Sequence, residues 1–434
     1  MSTVIIGGGI IGSSIAYYLS DKRSGEGIHI IESSSKLFSA ASGYAAGFMA
    51  KDWFAPSLAP LGALSFDLHH QLAVENGGEE KWGYMKGAAF SMNTTDADKK
   101  GGARGDDWLR KGTSRAETAA GSSQATMCEP PDWMTKQEGM GMEQISEEDT
   151  VAQVDPLKLS TYLMDVSVSR GVKLHNPAMA KSLVTDEATN TIKGVKVVNL
   201  NSQQESIIPC TNLVVCTGSW TPKTFQGLFP ASKTSISMSP LAGYSLVVRS
   251  PRYTLKDELE KYNGRSNAVF TTHPSSCGFS PELFSRRGGE IYIAGLNSTD
   301  MPLPTQAEET FKLQDPSEME KLKSVAVRLM GKLSEGSSES TEEIPNIDDL
   351  EILREGLCFR PVATRGTPFV SRVADSLLGN NLKTGSGEGD GKGGVFVASG
   401  HGPWGISLSL GTGKVMAELI EGTQTSADVT GLGV

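Results

Sequence analysis

Thr3-Val4-Ile5-Ile6-Gly7-Gly8-Gly9-Ile10-Ile11-Gly12, with the run on to Leu19, decides the fold of this chain. Thr3 to Ile6 is a short apolar run of the kind buried in a parallel sheet. Ile11, Ile15 and Leu19 then repeat at helical spacing. The polar turn from Asp21 to Gly27 ends that helix, and Ile28-His29-Ile30-Ile31-Glu32 reads as a second strand closing on an acid. Between strand and helix stands Gly7-x-Gly9-x-x-Gly12. Gly7 permits the tight turn, Gly9 lets a pyrophosphate approach the backbone, and Gly12 lets helix and sheet pack closely. The helix N-terminus offers unpaired N–H groups and a positive dipole end to phosphates. Glu32 follows Gly12 by about 20 residues, where an acid accepts ribose hydroxyls. Strand, helix and acid together point to a dinucleotide; they do not separate FAD from NAD.

The chain has 434 residues, two to three domains at about 150 residues each. Its 40 Lys and Arg against 50 Asp and Glu give a net charge of −10, which removes the overall electrostatic drive towards nucleic acid or anionic membrane. No apolar run approaches the roughly 18 residues that span a bilayer. The N-terminus lacks a basic and apolar leader, and Gly431 to Val434 is not a peroxisomal tripeptide, so a cytoplasmic setting is expected. Five scattered cysteines make neither a disulfide framework nor a zinc pattern, and no metal set is expected. His69 and His70 are adjacent in a helical stretch and cannot share a face.

Further along, residues 94–150 have loop composition, with Trp108 and Trp133 as docking points. Asp155-Pro156 is an N-cap followed by a proline at the first helical position. Leu159, Leu163 and Val166 mark the face of that helix, and Gly171 its stop. Strands are expected at Val195–Val198, Leu213–Cys216, Ile291–Gly295 and Val395–Ser399. Ser334–Glu343 and Thr384–Gly394 read as disordered surface insertions.

Three more stretches carry chemistry. Ser39 to Gly47 is rich in small residues that let backbone lie against a large planar ligand. Leu213 to Trp220 is a buried strand ending in a glycine turn. Val395–Ser399, the tight loop Gly400-His401-Gly402-Pro403-Trp404-Gly405 and the helix after it form an anion-friendly helix start; an ordinary packed turn reads equally well. Tyr44, Trp53, Tyr244 and Trp404 are candidate pocket walls or plain core. His273 reads as an exposed loop residue.

Taken together, residues 4–19, 39–50, 154–172, 213–220, 356–373 and 394–420 resemble the flavin-dependent D-amino-acid oxidase family, which includes glycine oxidase, sarcosine oxidases and fructosyl-amino-acid oxidases. Lys51 to Trp53 and the loop around Trp404 look most like a fungal branch. The resemblance implies an α/β fold: a discontinuous Rossmann-like FAD-binding domain (1–52, 151–236, 355–434) and an α+β substrate domain on a mixed sheet (53–150, 237–354). It implies that FAD meets Gly7, Gly9, Ile10, Ile11 and Gly12, with Glu32 and Ser33 at the ribose. Ser39, Ala41, Ser42, Gly43, Ala46 and Gly47 belong to its second contact segment, with Ala178, Thr217, Gly218 and Trp220 further on. Gly400, His401, Gly402, Trp404, Gly405 and Ile406 form its closing contact. His401 is expected to be structural or flavin-orienting.

Arg360 matches the family arginine that binds a substrate carboxylate, a role suited to its planar fork; a structural ion pair is the alternative. Cys358 matches the cysteine that sarcosine oxidases bond to flavin. It shares a strand face with Arg360; an inert buried thiol is the alternative, and non-covalent FAD is the expectation. The implied chemistry is hydride transfer from a carbon beside nitrogen in an amine or amino acid, imine hydrolysis, and reoxidation by O2. A dehydrogenase using another acceptor, or a flavin-bearing scaffold in trafficking or assembly, are the alternatives.

Overall fold

The computed structural model describes residues 2–93, 126–272, 278–341, 343–385 and 393–434. Trp108, His273 and most of the 384–394 insertion lie outside them.

The opening unit folds as its pattern predicts. Strand Thr3–Ile6 leads through the glycine turn into helix Ile10–Lys22 and back to strand Ile28–Ile31. Gly7 takes φ +112°, a conformation that favours glycine. A methyl at Gly12 would stand 2.0 Å from the Gly7 carbonyl oxygen. The fingerprint therefore sets how closely the helix seats on the sheet.

Those strands enter a six-stranded sheet in the order Phe369–Val373, Gly394–Ser399, Asn212–Val215, Thr3–Ile6, Ile28–Ile31, Lys173–His175. All neighbours are parallel except the first pair. Three remote stretches of chain thus build one sheet, and strands buried on both faces explain their continuous apolar runs. Helix Pro156–Ser169 begins as expected, with Asp155 Oδ1 accepting from the N–H groups of Leu157 and Lys158 at 3.0 and 3.1 Å. The closing helix Ser409–Glu421 crosses the first helix closely: a methyl at Gly413 would meet Ser14 Cβ at 2.6 Å.

The second large sheet runs Glu351–Ala363, Met238–Arg249, Glu290–Ser298, Glu282–Arg286, Ser266–Thr272, Met85–Asn93, Gly141–Gln144, Thr126–Met127. It is antiparallel apart from Ser266–Thr272 against Met85–Asn93, so it is mixed. Strand Glu351–Ala363 pairs with Met238–Arg249 along its length, so a boundary at 355 falls inside one strand. A smaller sheet holds Ala178–Thr185, Thr191–Asn199, Glu205–Pro209 and Lys383–Thr384. Phe48, Phe270, Phe284, Trp404 and Val415 belong to one core shared by the first helix, the closing helix and the inner face of the mixed sheet.

One expectation needs correction. Ser334–Glu343 is not a free surface segment over its described residues. Ser340 is buried, bridges to Gln137 and donates its N–H to the Lys136 carbonyl at 2.7 Å, and Glu339 pairs with Lys136 at 3.0 Å. Composition sees the Ser and Glu content and misses the docking strip. The glycine loop itself contains a 3-10 turn, Gly402–Trp404, and the closing helix follows from Ser409. Trp133 does dock: it is fully buried, 6.5 Å from the Tyr253 ring.

Candidate functional site

A cavity of about 370 Å³ opens where the parallel strands of the six-stranded sheet end and the mixed sheet faces them. The carboxyl ends of a parallel sheet are where such folds bind ligands. Gly7 to Ile11, Ile31 to Ser34, Cys216 to Trp220 and Ala398 to Ile406 each contribute to one wall. Glu282, Tyr292, Ala294 and Cys358 to Pro361 form the other.

At the fingerprint end, Glu32 braces the turn. Its Oε2 accepts from Gly8 N–H and its Oε1 from Ser34 N–H, both at 2.8 Å. Each carboxylate oxygen has a second lone pair left for a ribose hydroxyl. Ser42 Oγ accepts from Ile10 N–H at 2.9 Å, taking one of the helix's orphan donors. The first turn of that helix carries no acidic residue, so its positive end is not offset. At Gly9 a methyl would come within 3.0 Å of Ser42 Oγ, so backbone and small residues line the approach. These residues fit a pyrophosphate with its ribose.

The 39–47 segment is held from the mixed sheet by two arginines that sequence reading missed. Buried Arg286 donates from Nη2 to the carbonyls of Ala45 and Ala46 at 2.8 and 2.6 Å and lies over the Tyr292 ring. Arg354 Nη1 donates to the Gly43 carbonyl at 2.9 Å. No local spacing announces contacts made across some 240 to 310 positions.

Cys358 and Arg360 both line the cavity, as their shared strand face requires. Arg360 Nη1 donates to Asn297 Oδ1 at 2.6 Å. The guanidinium lies on Gly243, where a methyl would stand 2.2 Å from Nη1. Burial raises the Cys358 thiol pKa, with Arg360 and Arg354 pulling the other way without reversing it. That opposes the thiolate form on which reactivity depends. His401 is buried, its Nε2 3.0 Å from Thr412 Oγ1, and burial lowers its pKa to about 4. It is therefore neutral near pH 7.

Most of the expected contact residues line this cavity: Gly7, Gly9, Ile10, Ile11, Glu32, Ser33, Ser39, Ala41, Ser42, Ala46, Ala178, Thr217, Gly218, Trp220, Cys358, His401, Gly402, Gly405 and Ile406. Gly12, Gly43, Gly47, Gly400 and Trp404 do not. Gly12 and Gly43 back onto the carbonyls of Gly7 and Phe38. Gly47 and Gly400 supply positive φ behind the wall. The Trp404 ring is 5.0 Å from Phe54 and 6.4 Å from Trp53, inside the core. Tyr44 and Tyr244 do not line it either. Their places are taken by Tyr292 and by Thr305 to Ala307, from a segment with no motif. His69 and His70 point apart, to the Ile406 carbonyl and the Tyr84 hydroxyl.

Fold and cavity are those of an α/β protein with a dinucleotide-binding site. The sequence matches the FAD-dependent oxidoreductase family (DAO) over residues 2–419, and the chain belongs to that family. A Schizosaccharomyces pombe protein classed by name as an oxidoreductase is 27% identical over 98% of this chain and 96% of its own length. Glycine oxidase from Geobacillus kaustophilus superposes with a TM-score of 0.68 at 20% identity, covering 100% of this chain and 97% of that one. L-proline dehydrogenase from P. horikoshii superposes at 0.67 with 16% identity, covering 100% and 96%. These structures share the fold. Among the described residues no helix is long and apolar enough to cross a membrane.

Proposed function

We propose that this chain oxidises a C–N bond of a small amino acid or secondary amine bearing a carboxylate. The observation that carries the reading is Arg360: a guanidinium in the cavity wall, fixed by Asn297 and packed against Gly243. Bound FAD supplies the two-electron acceptor for the carbon beside nitrogen. The chain's part is to hold and orient. Gly7 to Gly12 and the first helix take the phosphates, Glu32 and Ser33 the ribose, and Ser39 to Gly47 with the 400–406 loop the ring system. Arg360 grips the substrate carboxylate bidentately and so orients the carbon that loses hydride. Tyr292, Ala294 and Phe359 keep the reacting end apolar. Neutral His401 adds no charge there. The imine product leaves to be hydrolysed by water, and O2 is the proposed final oxidant.

We read the cofactor as non-covalent, because burial holds the Cys358 thiol up. The four described cysteines are all free, which supports a reducing, cytoplasmic setting.

The test is an anaerobic titration of the flavin band with carboxylated amines. Arg360→Ala should raise the half-saturating concentration about 10- to 100-fold, the roughly 1.5–3 kcal/mol of a charged hydrogen-bond pair. An unchanged value would remove the anchor. Acid precipitation of the same holoprotein should leave its flavin in the supernatant. Peroxide yield against dye reduction decides between O2 and another acceptor.

A further inference from the structure

Arg360 reaches its holder across a strand. It leaves Glu351–Ala363, passes over Gly243 of the central strand Met238–Arg249, and ends on Asn297 of Glu290–Ser298, the register partner of Gly243. The missing side chain at Gly243 keeps that passage open: a methyl there would stand 2.2 Å from Arg360 Nη1 and 2.9 Å from Asn297 Oδ1. The holder is a neutral amide, whose Oδ1 accepts from Nη1 at 2.6 Å. A guanidinium only donates, so the amide has to turn its oxygen towards it. Among the described residues Arg360 makes no ion pair, and its other N–H groups make no hydrogen bond. A carboxylate in the place of the amide would cancel the charge. The amide fixes the position and leaves the charge to the cavity that Arg360 lines.

We propose that Asn297 is a specificity-determining positioning residue: it holds Arg360 without neutralising it, and so reserves the guanidinium for a free, ionised carboxylate. The substrate class narrows to amino acids and N-substituted amino acids with an unblocked carboxyl group. Their esters and amides lack the charge that an unpaired guanidinium selects. This inference rests on Arg360 as the carboxylate anchor, the reading above.

Support and charge can be separated at this position. Asn297→Asp keeps nearly the same shape and still offers an oxygen to Nη1, but adds a negative charge. Asn297→Ala removes the support and leaves the guanidinium its charge. The holoprotein is titrated with 2-aminoisobutyrate and with its amide, followed by perturbation of the flavin band and by calorimetry. Neither ligand has a hydrogen on its α-carbon, so neither is oxidised. Wild type should bind the acid at least about tenfold more tightly than the amide, the size of one charge-assisted contact. Asn297→Asp should lose that preference, weakening the acid at least about tenfold and the amide far less. Asn297→Ala should weaken the acid by less than Asn297→Asp does. A holder that only supports gives the opposite order, with Asn297→Asp like wild type and Asn297→Ala the weaker. That order, or equal losses of acid and amide in Asn297→Asp, would overturn the role of Asn297. Flavin content and thermal midpoint report folding of each variant. If Asn297→Asp does not fold, Asn297→Glu and Asn297→Gln make the same comparison one methylene longer. Asn297→Glu should then bind the acid at least about tenfold more weakly than Asn297→Gln, and equal affinities would overturn the role. Wild-type protein that binds acid and amide alike, or neither, would bring down the Arg360 reading, and Asn297 with it. A wild-type preference for the acid that Asn297→Asp retains would remove Asn297 alone.

Discussion

Gly243 has room for a hydrogen and nothing larger. A methyl there would meet Arg360 Nη1 at 2.2 Å and Asn297 Oδ1 at 2.9 Å. Both are tips of side chains, which move more cheaply than backbone. Gly243→Ala should therefore fold with stability within about 1 kcal/mol of wild type. The displaced guanidinium should raise half-saturation by a carboxylated amine about tenfold, roughly 1.4 kcal/mol. Anaerobic flavin titration beside urea unfolding checks both, and unchanged half-saturation would mean that the exact seat of Arg360 is not used. Arg360 itself is visible in the sequence through the Phe359-Arg360-Pro361 motif. Its supports are not, because Gly243 and Asn297 sit on two other strands and join it only through sheet register.

The closing loop is an element pinned by two buried histidines. His401 reaches Thr412 on the closing helix, and His69 reaches the Ile406 carbonyl. Burial lowers both pKa values to about 4. An unfolded imidazole titrates near 6.5. Below that pH the unfolded chain binds protons that the folded loop refuses. Stability should be level above about pH 6.5 and fall as the pH drops towards 4, each histidine costing up to roughly 3 kcal/mol across the window. His29 and His175, half-buried with ring nitrogens 3.0 Å apart, act in the same direction. Urea midpoints at pH 7.5 and 5.0 measure this; equal midpoints would sink it. Carboxylates such as Asp257, lowered to about 2 by Thr254, lose their contribution only in stronger acid. The loop's glycines are plain in the sequence. So is a structural role for His401; the His69 anchor is not, since it reaches the loop from a helix more than 300 positions away.

Across the whole molecule, the cavity exists because two sheets face each other, and one segment ties them. Pro304 accepts from Trp220 Nε1 at 2.8 Å. Glu308 Oε2 accepts from Ser35 N–H and Oγ at 2.8 and 2.6 Å, beside the Glu32 end of the cavity. Thr305 to Ala307 between them form part of the wall. Glu308→Ala should leave the apo protein's unfolding midpoint nearly unchanged, because Glu308 is a surface residue. It should speed flavin loss roughly fivefold, about 1 kcal/mol for the tie. A dissociation rate equal to wild type would show that the segment does not retain the cofactor.

The sequence by itself determined the βαβ unit, the dinucleotide fingerprint with its acid, the family, and a large share of the residues that line the cavity. Each of those is local: a period, a glycine at a turn, a cap, a short motif whose physics is complete within some 30 residues. Only the tertiary structure decided which of those residues face the ligand and which stand behind the wall, as Gly12, Gly47 and Trp404 do. It alone brought Arg286, Arg354, Asn297 and Glu282 to the site. Their contacts are made across sheet register and between sheets, where neighbours in space lie from a dozen to some 310 positions apart in the chain, and no pattern along the chain records which strand becomes whose neighbour.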